Sequence, residues 1–259
     1  MMRVSILGCG WLGFSLATHL KIKNYKINAS TTSKDKYELF NKEGFNAFLI
    51  DSLKKQDLTS FLECEILIIC IPTSKLPLEF LKHLLSFDLS KLSKVILIST
   101  TSIYPNENKT FDEEFILSLE NCGNIQAFQI EEFLRKNLSN LSILRCAGLM
   151  GYDRIPIKYF HNKILKDKNK KVNFVHRDDV ISAIETILNN SIYDTFNLCA
   201  KLHPTKEKLY KNIEANSLYS IKEYQNTDNL NNRIIKADKI TKKLHFSYRF
   251  DNPFNFFYV

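Results

Sequence analysis

Three glycines near the start of the chain have the spacing of a nucleotide-binding turn. The stretch ILGCGWLG places Gly8, Gly10 and Gly13 in the order GxGxxG, directly after a β-rich apolar run from Arg3 to Leu7 and before apolar residues at helical spacing. In a strand–turn–helix setting the first glycine permits a tight turn, the second lets the backbone approach a pyrophosphate, and the third lets helix and strand pack closely. The helix N-terminus then presents N–H groups to the anion. The alternative is a glycine turn without a ligand.

The first 150 residues continue as alternating strand and helix patterns. Strands are predicted at 3–7, 25–31, 45–51, 65–72, 94–104 and 141–151. Helices are predicted at 11–20, 33–44, 76–87 and 125–138. Apart from Glu65 the run over 65–72 is apolar, which indicates a strand buried on both faces. Strands that alternate with helices predict an α/β fold, a Rossmann-type doubly wound parallel sheet.

The pattern becomes less regular after Gly151. A helix with a basic end is predicted over 158–171, then a strand and a helix capped by aspartates over 172–190, then a strand over 194–200. We therefore expect a dinucleotide-binding domain over 1–150. Residues 151–259 are expected to form mainly a small C-terminal α/β substrate lobe, with 172–200 returning to the Rossmann core.

Composition and charge narrow the classes of partner that the chain is expected to bind. The 259 residues carry a formal net charge of +8, but the lysines are scattered and no arginine-rich stripe is present. This argues against nucleic-acid binding and is compatible with a basic pocket for a phosphorylated ligand. No apolar run approaches the ~20 residues of a membrane span, and only Arg3 precedes the first apolar run, so we expect neither a membrane segment nor a secretion signal.

The six cysteines form no CxxC pair and no cluster with zinc spacing. We therefore expect reduced, mostly buried thiols, no metal site and a cytoplasmic protein. The expected assembly is a monomer or a homodimer.

The end of the second predicted strand is where such proteins read the cofactor's ribose. NAD-specific sites place an acidic residue about 20 residues beyond the glycines, and counting alone selects Asp35, which falls in the next helix. The strand end instead holds hydroxyl and lysine side chains: Ser30, Thr31, Thr32, Ser33 and Lys34. Such groups suit a 2′-phosphate, so NADP(H) is favoured over NAD(H). The alternative is that Thr32 or Ser33 only caps the helix.

Motifs along the whole chain match one family. They are ILGCGWLG, STTSIYP, LRCAGLMG, VNFVHRDDV, FNLCA and RIIKADKITKKLHFSY, in the family's order. On these motifs the chain resembles the extended short-chain dehydrogenase/reductase superfamily, which contains nucleotide-sugar epimerases and dehydratases, and most closely its YeeZ-like bacterial branch. The resemblance implies an oxidoreductase or epimerase-like protein that binds NAD(P) and acts on a small polar substrate, phosphorylated or nucleotide-linked.

The resemblance also implies cofactor contacts. Trp11 and Leu12 occupy the variable positions of the glycine motif. Asp51 would hold the adenine. The remaining implied contacts border the cofactor or the nicotinamide: Ile71, Pro72, Ala147 and Gly148.

The catalytic pattern of the family is only partly present. Thr100 matches the family's catalytic Ser/Thr, with a strand-end cap as the alternative. The Tyr-x-x-x-Lys pair is missing: the Tyr position falls among residues 122–124, and the Lys position is Ala127 or Phe128. Tyr104 and His176 are the candidates to replace the missing pair. The structural alternative for Tyr104 is packing at the strand end, and that for His176 is a hydrogen bond to Asp178 or Asp179.

Two weaker substitutes remain, Glu113 and Cys122. Glu113 would be an acid/base group, with a solvated acidic turn as its alternative. Cys122 would need a depressed pKa to act as a nucleophile, and no basic residue adjoins it. Some basic side chains of the lobe are candidates to bind an anionic small-molecule substrate: Arg154, Lys158, Lys163, Arg177 and the run 166–171. For the run 166–171 the alternative is a solvated loop.

Two functions stay open at this point. The first is an enzyme with a non-standard acid/base group. The second is a cofactor-binding sensor of the same fold, which the missing pair favours. A dehydrogenase of the 6-phosphogluconate or hydroxyisobutyrate type would need a long all-helical C-terminal domain, and the strands predicted near 172–200 argue against it.

Overall fold

The computed structural model describes residues 2–226 and 231–259. Its strands are β1 Arg3–Leu7, β2 Lys26–Thr31, β3 Asn46–Leu49, β4 Ile66–Ile69, β5 Lys94–Thr100, β6 Thr110–Phe111, β7 Leu141–Cys146, β8 Gly148–Met150, β9 Ile164–Leu165, β10 Phe174–His176, β11 Thr195–Leu198, β12 Glu223–Tyr224 and β13 Ile234–Ile235. Its helices are α1 Trp11–Ile22, α2 Lys34–Lys42, α3 Thr59–Leu62, α4 Leu78–Leu84, α5 Ile125–Asn137, α6 Arg177–Leu188, α7 Lys206–Glu214 and α8 Asp238–Leu244.

Seven strands form one parallel sheet in the order β11-β7-β5-β4-β1-β2-β3. β1 pairs with β2 from Arg3 opposite Lys26 and with β4 from Val4 opposite Ile66. The chain order therefore reverses at β1. Ligands of open α/β sheets bind at such a switch point, outside the carboxyl ends of the strands. The predicted Rossmann-type fold is confirmed.

The apolar run at 65–72 forms β4, whose four residues are all buried. It packs within a core cluster that also holds Leu7, Phe61 and Leu97. Burial on both faces follows from the helices that cover a parallel sheet, so a continuous apolar run is what such a strand requires.

The described chain divides into two compact units. Unit 1 comprises residues 2–100, 125–144 and 184–195, and unit 2 comprises 101–124, 145–183 and the described part of 196–259. Unit 2 has its own apolar cluster, which includes Ile157, Leu165, Leu209 and Tyr210.

The helix predicted over 158–171 is wrong. The structure has a 3₁₀ turn at Pro156–Phe160 and then β9, which pairs with β12 from Ile164 opposite Glu223. Asn162 and Asp167 have φ angles of 57°, in the left-handed region that breaks a helix. The partner strand lies about 60 residues further along the chain, so local spacing carried no sign of it.

Two predicted strands are shorter than expected. The strand predicted over 141–151 is divided into β7 and β8, and β8 pairs with β10 in a separate two-stranded sheet. The strand predicted over 94–104 ends at Thr100, where a 3₁₀ turn begins.

In the described ranges, no helix has both the length and the apolar character needed to cross a membrane.

Candidate functional site

The glycine turn joins β1 to α1, and two of its glycines are required by the packing of the turn itself. Gly8 has a φ of 95°, and a Cβ built on it would lie 2.8 Å from the Ile71 side chain. A Cβ on Gly13 would lie 2.5 Å from the Gly8 carbonyl oxygen. Neither position accepts a side chain without movement of its surroundings.

Gly10 differs from these two glycines. A Cβ built on Gly10 would meet no described atom within 4 Å, apart from its chain neighbours, and its φ of −80° is open to any residue. Gly10 precedes α1, gives it no side-chain cap, and the first turn of α1 carries no acidic residue. The space in front of Gly10 and the helix N-terminus together suit an anion.

The other residues of the turn are apolar. Leu12 is buried, Trp11 is half-buried, and Cys9 is buried with its thiol 3.6 Å from the Ile6 carbonyl oxygen. Burial raises the pKa of the Cys9 thiol to about 12, so this cysteine is an inert core residue.

Residues at the end of β2 and just after it hydrogen-bond to the glycine turn and cap α2. The Ser30 hydroxyl oxygen accepts a hydrogen bond from the Gly8 N–H at 2.8 Å. Thr31 is buried, and its hydroxyl accepts the Ser33 N–H at 3.1 Å. Ser33 is the N-cap of α2, and its hydroxyl accepts the Lys36 N–H. The capping alternative for Ser33 is therefore correct, while Thr32 and Lys34 are exposed.

The other cofactor residues predicted in unit 1 follow β3 and β4. The half-buried Asp51 carboxylate accepts the Leu53 N–H at 3.0 Å and lies 3.6 Å from the Lys54 ammonium. Ile71 packs partly buried against the core beside Gly8, and Pro72 is exposed.

Thr100 is the half-buried last residue of β5. Its neighbour Ser99 is buried and donates a hydrogen bond of 2.5 Å to the Glu131 carboxylate of α5. Arg135 donates to the same carboxylate at 3.2 Å. This buried network fixes α5 against the end of β5.

Tyr104 does not have the surroundings of a catalytic tyrosine. It is fully buried in unit 2, accepts a hydrogen bond from Arg145 at 2.9 Å and donates one to Asn197 at 2.9 Å. Its ring stacks on Phe111 with centroids 5.5 Å apart. Burial raises the pKa of Tyr104 above its ordinary value, which makes the phenol a still poorer base. The packing alternative for Tyr104 describes these contacts, and its catalytic role stays a prediction.

His176 is also a buried structural residue. Its ring lies 3.9 Å from that of Phe250, and its Nδ1 accepts the Asp178 N–H at 3.3 Å at the start of α6. Burial lowers the pKa of His176, so the imidazole is neutral. His176 is fully buried, and its structural alternative, a hydrogen bond with Asp178, is present, while its catalytic role stays a prediction. The predicted aspartate cap of this helix is replaced by the histidine ring.

The predicted nicotinamide contacts, Ala147 and Gly148, lie at the start of β8 in unit 2. The buried Ala147 donates its N–H to the Leu198 carbonyl at 2.9 Å. A Cβ on Gly148 would lie 2.6 Å from the Phe174 ring, so the glycine is required by packing.

The predicted anion-binding residues of unit 2 differ in exposure. Lys158 and Lys163 are exposed, whereas the Arg177 guanidinium stacks 4.1 Å from the centroid of the Tyr152 ring. Arg154 is half-buried beside the Gly151 turn. The run 166–171 alternates exposed and half-buried residues, which agrees with a solvated loop.

Comparison with known proteins agrees with this architecture. No protein-family model matches the chain. The chain is 28% identical to Protein YeeZ of Escherichia coli strain K12 over an alignment that spans 98% of both chains. A functionally unknown conserved protein from Silicibacter pomeroyi DSS superimposes with a TM-score of 0.80 at 16% identity, over 98% of this chain and 95% of that one. The UDP-glucuronic acid 4-epimerase of Bacillus cereus, in complex with NAD, gives a TM-score of 0.74 at 17% identity, over 95% and 92%.

The chain therefore shares the fold of these solved structures and is similar in sequence to Protein YeeZ over nearly its whole length.

The structure describes both positions at which the sequence resemblance implies the Tyr and the Lys of a catalytic pair. A Cβ on Gly123, in the middle of the Tyr position, would lie 2.3 Å from the Tyr104 carbonyl oxygen and 2.8 Å from that of Ser102. Ala127, at the Lys position, is fully buried in α5. Packing therefore leaves no room for a tyrosine at residue 123.

Glu113 has the setting of an acid/base group more than the other substitutes. It is half-buried, and its carboxylate accepts the Asn197 N–H at 2.7 Å. Burial raises the pKa of Glu113, which brings it closer to neutral pH. A fully solvated turn, the alternative, does not describe this carboxylate. Cys122 is half-buried with its thiol 3.7 Å from the Leu119 carbonyl.

Sequence reasoning missed the polar pair around Tyr104. Arg145 and Asn197 are buried in otherwise apolar strands, and Asn197 also donates to the Lys236 carbonyl at 2.9 Å. The signal was available, because a charged or amide side chain inside an apolar strand needs a buried partner. Among the described residues, no group of three or more His, Cys, Asp or Glu side chains could hold a metal ion.

Proposed function

We propose that this chain binds a nicotinamide adenine dinucleotide in the glycine turn of unit 1 and acts as an oxidoreductase or epimerase-like protein. The observation that carries the proposal is the difference between the three glycines. Gly8 and Gly13 are required by the packing of the turn, whereas Gly10 has open space before it at the N-terminus of α1. An anion held by that N-terminus would lie in this space and would account for the third glycine.

The residues present fit the cofactor. The backbone from Gly8 to Gly13 and the N-terminus of α1 would hold the pyrophosphate, Asp51 would hold the adenine, and Ile71 with Pro72 would border the site. The bound nicotinamide would supply or accept a hydride. Solved neighbours of the same fold are described in complex with NAD, which supports a dinucleotide ligand.

NADP(H) is the favoured form. Thr32 directly follows β2 and Lys34 is the first residue of α2, and both are exposed; the exposed Asp35 is the next residue of α2. A lysine and a hydroxyl attract a 2′-phosphate that a carboxylate would repel. NADPH should bind more tightly than NADH by roughly 1–3 kcal/mol if one or two charge-assisted hydrogen bonds form.

The substrate is a small polar molecule, anionic through a phosphate or a nucleotide. Arg154, Lys158 and Lys163 in unit 2 are the side chains that would meet its charge. Thr100 would polarise the reacting oxygen. Glu113 would serve as the acid/base group in place of the missing Tyr and Lys, since its raised pKa suits proton transfer near neutral pH.

The test is a screen of polar and nucleotide-linked metabolites that follows NADPH absorbance, repeated on the Thr100→Val variant. We expect slow turnover with standard nucleotide-sugar substrates, because loss of a proton donor typically costs ~10²–10⁴ in rate. Thr100→Val should reduce the rate further while leaving cofactor affinity unchanged. Turnover that Thr100→Val leaves untouched would remove Thr100 from the proposal.

A second function is supported by Gly123 and Ala127. Because a tyrosine is sterically excluded at residue 123 and Ala127 is buried, the chain could bind the dinucleotide as a sensor without turnover. Tight binding together with no turnover across the same screen would favour this second function.

A further inference from the structure

Ser30 was predicted as a ribose contact, but its contacts point elsewhere. The side chain is 2% exposed, and its hydroxyl oxygen accepts the Gly8 N–H at 2.8 Å. Its carbonyl oxygen accepts the Cys9 N–H at 2.9 Å. One residue of β2 thus holds two successive N–H groups of the glycine turn.

The hold on Gly8 extends to the rest of the turn. Gly8 has a φ of 95°, a conformation that its own backbone does not enforce, because glycine is free to leave it. The Gly8 carbonyl accepts the Gly10 N–H at 2.8 Å and would touch any side chain at Gly13. The orientation of Gly8 therefore sets the position of Gly10 and the start of α1.

We infer that Ser30 is a positioning residue of the dinucleotide site, which acts through the Gly8 N–H on the pyrophosphate and does not read the ribose. This inference rests on the proposed dinucleotide site. Discrimination between a 2′-hydroxyl and a 2′-phosphate then belongs to the exposed residues that follow, of which Lys34 is the first cation.

The chain offers a matched control. Ser5 lies on the neighbouring strand β1, is fully buried, and its hydroxyl donates 2.5 Å to the Phe61 carbonyl and accepts the Asn28 side-chain amide. Ser5→Ala removes a buried serine hydroxyl of the same sheet without touching a glycine-turn hydrogen bond.

The experiment titrates NADPH, NADH and ADP-ribose into the full-length wild type, Ser30→Ala, Ser5→Ala and Lys34→Ala, with a thermal melt of each variant. Ser30→Ala should weaken all three ligands by a similar factor, about three- to tenfold for one lost hydrogen bond, and leave the NADPH-to-NADH ratio unchanged. Lys34→Ala should lower that ratio and leave NADH and ADP-ribose unchanged. Ser5→Ala should lower the melting temperature and leave all affinities unchanged.

Four results would overturn the inference. Wild-type affinities in Ser30→Ala, or equal weakening in Ser30→Ala and Ser5→Ala, would make Ser30 a purely structural residue. A change in the NADPH-to-NADH ratio in Ser30→Ala would make it a ribose reader. No binding of any ligand to the folded wild type would instead refute the dinucleotide site, and this inference with it.

Discussion

The polar cluster around Tyr104 shows how a single residue can match a catalytic pattern and serve the core instead. Its hydroxyl lies between the Arg145 guanidinium and the Asn197 amide oxygen, and all three side chains are buried. A buried guanidinium needs acceptors, and the Tyr104 hydroxyl oxygen is one of those available to Arg145.

Tyr104→Phe should therefore lower stability rather than chemistry. The change leaves donors of Arg145 and the acceptor of Asn197 without this partner, at a cost of about 1–3 kcal/mol in the free energy of unfolding. Urea denaturation of wild type and variant measures the difference, and dinucleotide titration serves as the control. An unchanged free energy of unfolding with a collapsed turnover rate would restore Tyr104 as a catalytic residue.

The three glycine positions of the turn were predicted from their spacing in the sequence. The packing of the turn explains why residues 8 and 13 are Gly8 and Gly13. The role of Ser30 could not be predicted, because its hydrogen bond joins residues 22 positions apart and depends on the pairing of β1 with β2.

At the scale of elements, α6 is tied to the segment near residue 250 by one buried carboxylate. Asp179 is 1% exposed and accepts the N–H groups of Arg249 at 2.8 Å and Phe250 at 3.1 Å. Burial, as the largest cause, raises the pKa of Asp179 to about 6, with the nearby Asp178 carboxylate adding to the shift. The folded state therefore binds a proton more tightly than the unfolded state, where an aspartate has an ordinary pKa near 4.

This raised pKa gives the stability a defined dependence on pH. Between about pH 4 and pH 6 the folded chain holds more protons at Asp179 than the unfolded chain, so the contribution of Asp179 to stability falls as the pH rises. Asp179→Asn does not titrate. Its free energy of unfolding relative to wild type should increase from pH 4 to pH 6 and then stay constant, as measured by urea denaturation across that range. A difference that is flat across pH 4–6 would contradict the raised pKa.

Elements were predictable where their signals are local. α2 ends before Gly44, whose φ of 75° is the left-handed conformation that a glycine stop supplies, and β4 is a short apolar run. The helix predicted over 158–171 was wrong because Leu165 is buried by pairing with a remote strand, and apolar spacing alone does not distinguish the two cases.

The whole molecule combines a seven-stranded parallel sheet whose order reverses at β1 with an α5 region that carries neither the Tyr nor the Lys of the pattern implied by the sequence resemblance. The sheet order could be predicted because alternating strands and helices permit few topologies. The steric exclusion of a tyrosine at residue 123 could not be predicted from the sequence, because only the structure shows that the Tyr104 carbonyl lies where a Gly123 side chain would begin. The proposed function therefore depends on dinucleotide binding by the glycine turn of unit 1.

The most direct measurement of that claim is a calorimetric titration of NADPH into the wild type and Gly10→Val, with a thermal melt of each. Because a Cβ at residue 10 would meet no described atom of the protein within 4 Å beyond its chain neighbours, Gly10→Val should melt like the wild type. It should nevertheless lose dinucleotide binding, since the added methyl groups fill the space that the pyrophosphate would take. Wild-type affinity in a folded Gly10→Val protein, or no NADPH or NADH binding by the wild type, would contradict the account.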